Sequence, residues 1–104
     1  MKDPEKTKEL VLSALIEAVK GKKVAILCVK QPHVEYCQEI AVKLTSGIND
    51  VAIGPGIIDF SGCEGPEGGF VSIVIESHGV QDKLESDGHK IMFAYDKQDD
   101  VIDY

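Results

Sequence analysis

The run VAILCV at residues 24–29 constrains the fold more than any other stretch of the chain. Six consecutive apolar residues with no polar alternation describe a strand covered on both faces, as inner strands of α/β sheets are. Amphipathic segments lie on either side. Upstream, Asp3 suits an N-cap, Pro4 the first turn, and Glu5 and Glu9 the positive end of a helix dipole. Val11, Ala14, Leu15 and Ala18 then form one stripe, widened by Leu12, Ile16 and Val19. Gly21 is a stop with Lys20, Lys22 and Lys23 around it, which sets a helix over about residues 4–20. Downstream, Pro32 falls in a first helical turn, and Val34, Cys37, Ile40, Ala41 and Leu44 make the buried side of a second helix that Ser46-Gly47 ends.

The rest of the chain reads as β structure. DVAIGPGIIDF holds two short apolar runs around Gly54-Pro55-Gly56, where Pro-Gly favours a type II turn. SGCEGPEGG is a loop. FVSIVIES (70–77) places Val71, Ile73 and Ile75 on one face and Phe70, Ser72 and Val74 on the other. VQDKLESDG has room for a helical turn, KIMFAYD (90–96) is a strand, and residues 97–104 form an acidic tail. The expectation is one α/β domain over residues 1–104, with α+β as the alternative. It has a mixed sheet, two main helices and the order α-β-α-β-β-β-β.

The segment GKKVAILCVKQPHVEYCQEIAVKL (21–44) resembles the part of RecA-like helicases and phage terminase large subunits where a lysine-flanked apolar strand leads into an amphipathic helix. GIIDFSG and GGFVSIVIES are similar to the following hairpin, and HKIMFAYDKQDD to the strand that ends in Walker B acids. The likeness spans roughly residues 10–100 and implies a RecA-like scaffold. The departures bear on function. The phosphate-cradling G-x-x-x-x-G-K-[ST] loop is absent, and the glycine-rich stretch Ser61–Gly69 carries Glu64 and Glu67 and no lysine. Val29-Lys30 stands where the family has a Pro-Thr motif, and Asp96 alone stands where it has an acidic pair. The resemblance therefore implies a scaffold without the ATPase engine.

Charge narrows the partners. The net charge is −7, and all eleven basic residues are lysines. Arginine is the preferred side chain for bidentate phosphate and guanine contacts, so a dedicated nucleic-acid binder is disfavoured. Residues 1–30 hold seven lysines and four acids, whereas residues 31–104 hold four lysines and fourteen acids, a distribution that suits a basic partner surface. No apolar run has the ~20 residues a membrane span needs. MKDPEKTKEL is too polar for a signal sequence, so a cytoplasmic location without membrane association is expected. Cys28 and Cys37 sit at core positions and read as reduced, inert residues, while Cys63 in the loop is the accessible thiol.

Candidate sites are sparse. Lys30, Gln31 and His33 lie between a buried strand and a helix start, where open α/β sheets bind ligands, and would suit a small anion. Glu76 and His78, with Asp59 or His89, could be brought together around a metal. However, the cysteine spacings lack the short pairs of zinc sites, and the tail acids lack the glycine and final glutamate of a calcium loop. No metal, cofactor or catalytic residue is assigned. Ser77-His78 is adjacency without triad geometry, and Glu64 and Glu67 disfavour a Cys63 thiolate.

Three functions follow. The first is a non-catalytic regulator whose acidic C-terminal part docks on a basic protein, with Tyr95 and Tyr104 as anchors among Asp96, Asp99, Asp100 and Asp103. A phage-type inhibitor of a nucleic-acid enzyme is one such protein. The second is a small-ligand or nucleotide-handling domain using the Lys30–His33 crevice. The third is a homo-oligomeric assembly component joined along a strand edge.

Overall fold

A computed structural model describes residues 4–63 and 68–95. The helices are α1 (Pro4–Val19), α2 (Gln31–Thr45) and α3 (Val80–Ser86). The strands are β1 (Lys23–Cys28), β2 (Ala52–Gly54), β3 (Ile57–Asp59), β4 (Phe70–Ile75) and β5 (Lys90–Phe93). They form one mixed sheet in the order β2-β3-β4-β1-β5. β1 is parallel to β4 and β5, and β3 runs antiparallel to both β2 and β4.

The expected α/β class and mixed sheet are thus found, with one addition. The VQDKLESDG segment supplies a complete short helix, α3, between β4 and β5. β5 lies parallel to β4 on the far side of β1, so the chain must cross over rather than turn in a hairpin.

The apolar run of β1 becomes the second strand from one edge, with neighbours on both sides. Val24, Ala25, Ile26, Leu27 and Cys28 are all fully buried. Alternation divides them between the faces. Val24, Ile26 and Cys28 point toward α1 and α2, where they join Val11, Ala14, Leu15, Ala18, Val34, Cys37, Ala41, Ile58, Phe60, Val71 and Ile73 in one core. Ala25 and Leu27 point to the other face. There His89, just after α3, sits edge-on to Phe70 with ring centroids 5.5 Å apart, and Lys23 Nζ reaches the Asp87 carbonyl.

Two expectations of burial are corrected. Leu12, Ile16 and Val19 do not widen the buried stripe of α1 but lie on its exposed side, because the sheet and α2 cover only the arc through Val11, Ala14, Leu15 and Ala18. Ile75 ends β4 in an exposed position, unlike Val71 and Ile73 on the same face, since the core stops short of the strand's end.

Pro55-Gly56 makes the two-residue turn between β2 and β3. Proline holds the first position, and Gly56 has φ +70°, the combination a type II turn requires. Gly69 is glycine for a different reason. Its N–H donates to the Ala18 carbonyl at the end of α1, its carbonyl accepts from Phe60 N–H, and a β-carbon there would strike the Lys22 backbone. Among the described residues no helix is long and apolar enough to cross a membrane.

Candidate functional site

The three parallel strands end at one edge of the sheet, at Cys28, Ile75 and Phe93. α2 leaves from β1 and α3 from β4 at this edge, the position where open α/β sheets build ligand crevices. The Glu76 N–H donates to the Cys28 carbonyl and the Ala94 N–H to the Leu27 carbonyl, so backbone bonds stitch the strand ends together. Beyond β4, Glu76, Ser77, His78, Gln81 and Asp82 border a shallow depression of about 450 Å³.

The sequence grouped Lys30, Gln31 and His33 as one polar cluster, and the fold divides them. Lys30 and Gln31 are exposed at the start of α2, while the His33 side chain turns inward and is only 5% exposed. The reason is helical phase: His33 shares the buried face of α2 with Val34, Cys37 and Ala41. Pro32 in the first turn fixes the start of the helix.

That inward turn brings His33 to two cysteines. Cys28 ends β1 on the face toward the helices, and Cys37 lies one turn after His33 on α2. Sulfur atoms of Cys28 and Cys37 and a ring nitrogen of His33 all lie within 4.8 Å of one another. Cys28 and Cys37 are fully buried. The interaction with the Cys37 thiol, and then burial, pushes the Cys28 pKa up, whereas the interaction with Cys28 holds Cys37 below the usual thiol value. Burial shifts the His33 pKa downward, because desolvation disfavours the charged imidazolium. Its ring stacks on Tyr36 at 6.3 Å between centroids.

The reading of Cys28 and Cys37 as buried, reduced residues agrees with this arrangement, in which neither forms a disulfide. What sequence reasoning missed is the histidine between them. The signal was C-x4-H-x3-C: His33 and Cys37 are four residues apart on one helical face, after a strand that ends in cysteine. A search confined to cysteine–cysteine spacing passes over it.

The other candidates are dispersed. Glu76 and His78 follow β4 rather than sharing a strand face, and His89 packs on Phe70 near the opposite end of the sheet. Tyr95 is half-buried, and ends a groove of about 610 Å³ between α1 and β5 that Thr7, Leu10, Ile91 and Phe93 also line. Asp96, Asp99, Asp100, Asp103 and Tyr104 lie outside the described residues.

No protein-family model, curated protein or solved structure matches the chain.

Proposed function

We propose that this protein is a non-catalytic regulator that docks through its acidic surface on a basic protein partner. The observation that carries the reading is the charge distribution. Fourteen of the eighteen acids fall after residue 30, and no arginine is present anywhere in the chain. Among the described residues, Glu35, Glu39, Asp50, Asp82, Glu85 and Asp87 are exposed on that part. They outnumber the exposed lysines described on that part, Lys43, Lys83 and Lys90.

A surface of this sign attracts a cationic patch over a distance set by ionic screening and rejects a phosphate backbone. A regulator of a nucleic-acid enzyme fits this physics, with carboxylates taking the places of phosphates on the enzyme's basic surface. The partial likeness to ATPase cores enters the proposal only as a scaffold, since the chain has no phosphate-cradling loop.

Charge-led docking has a direct test. Partners captured by the immobilised protein at about 0.1 M salt should elute as salt approaches about 1 M, where the Debye length falls from ~10 Å to ~3 Å. Captured proteins should be basic at the contacted surface. A partner retained equally at both salt concentrations would refute the proposal.

A further inference from the structure

We propose that Cys28, His33 and Cys37 form a zinc-binding site between the end of β1 and the first turns of α2, independent of the docking surface. Three donors of the types zinc prefers already converge to within 4.8 Å of one another. A tetrahedral ion with Zn–S of about 2.3 Å and Zn–N of about 2.0 Å places its ligand atoms roughly 3.5–3.8 Å apart. Closing the cluster on the ion therefore takes movements of about 1 Å, within the reach of side-chain adjustment.

The scaffold favours these movements over larger ones. Cys28 is fixed by its pairing with Ile75 of β4, next to Leu27, which pairs with Phe93 of β5. His33 and Cys37 are fixed relative to each other by the helical repeat, and the Tyr36 ring stacks on the imidazole. Donors held on a strand and a helix are better positioned than donors on loops.

Charge decides which ion fits. Two thiolates and a neutral imidazole around Zn²⁺ sum to zero, so the occupied site carries no net charge into a core formed with Val24, Val34 and Ala41. A monovalent soft ion with the same donors would leave a buried negative charge. Three protein donors also leave one tetrahedral position for a further ligand, as in zinc sites of the two-cysteine, one-histidine type.

The test uses the full chain, reduced and freed of metal, titrated with Co²⁺ as a spectroscopic probe and then with Zn²⁺. One equivalent of Co²⁺ should produce a thiolate-to-metal charge-transfer band and the visible bands of a tetrahedral ion, both abolished by one equivalent of Zn²⁺. Zn²⁺ should also raise the melting temperature, because it binds the folded chain in preference to the unfolded one. Cys63→Ser should leave all three signals intact. Cys37→Ser should weaken Zn²⁺ binding by more than the 10–100-fold that loss of an outer-shell partner costs.

His33→Gln, which removes a nitrogen donor and no sulfur, should also weaken binding while keeping the charge-transfer band. It supplies the answer if Cys37→Ser does not fold by circular dichroism. The proposal is overturned if the folded chain gives no cobalt spectrum, if Zn²⁺ lowers or leaves unchanged the melting temperature, or if Cys63→Ser abolishes the signals. One equivalent of Cu⁺ bound with no Co²⁺ or Zn²⁺ response overturns it as well.

Discussion

Gln38 shows how one side chain can fix the position of a distant turn. From α2 its Nε2 donates to the Gly54 carbonyl at 2.7 Å, and its Oε1 accepts the Gly56 N–H at 2.9 Å. The carboxamide thus satisfies both sides of the Pro55-Gly56 turn and ties the β2–β3 hairpin to the helix layer. Gln38→Ala removes both bonds in a partly buried setting and should cost about 1–3 kcal/mol. Gln38→Glu keeps the acceptor for Gly56 but turns an oxygen toward the Gly54 carbonyl, so it should be no milder. Both should lower the urea midpoint without changing the denaturant slope, as a local loss of stability requires. In the sequence Gln38 is an outward polar residue of a helix, with nothing to mark the partners it meets. Those partners lie sixteen and eighteen residues away.

Among the elements, α1 and the edge strand β5 are joined by charge at the amino end of the sheet. Glu17 near the end of α1 receives Lys90 Nζ at 2.7 Å, with Lys22 at 3.5 Å and Lys20 at 3.8 Å. The Lys90 hydrogen bond, followed by the charges of the surrounding lysines, holds the Glu17 carboxyl below its ordinary range. A depressed carboxylate stabilises the fold fully above its unfolded pKa, and the contribution is lost as pH falls through the folded value. Glu17→Gln should therefore melt below the parent at pH 7. The difference between them should close below about pH 4, the ordinary glutamate range, and narrow in high salt. A difference that is constant across a pH series of melting curves would show that Glu17 acts by packing alone. In the sequence Lys20 and Lys22 already lie close to Glu17 at this helix end, whereas Lys90 reaches the carboxylate only because β5 arrives beside it.

Across the whole molecule, stability resides in the layer between the sheet and the α1–α2 pair and in the fully covered strand β1. Leu27 is fully buried on the face away from those helices, whereas Ile16 is 48% exposed on the outer side of α1. Both belong to strongly apolar stretches, yet their truncations should differ sharply. Leu27→Ala should cost about 2–5 kcal/mol, the range for a large-to-small change in a core. Ile16→Ala should stay within about 0.5 kcal/mol, because it uncovers no cavity and alanine favours a helix. Chemical unfolding of the two variants checks the contrast, and comparable losses would place Ile16 in an interface that covers α1.

Sequence alone determined what depends on neighbours in the chain. VAILCV required a strand covered on both faces, apolar spacing and proline placement bounded α1 and α2, and Pro55-Gly56 dictated its turn. These are local properties, governed by backbone geometry and side-chain period. Only the tertiary structure decided the strand order, which apolar residues of α1 remain exposed, and the meeting of Cys28, His33 and Cys37. The physical reason is that helical phase says which residues share a face, but not which face the sheet will cover or what the strand beneath it presents.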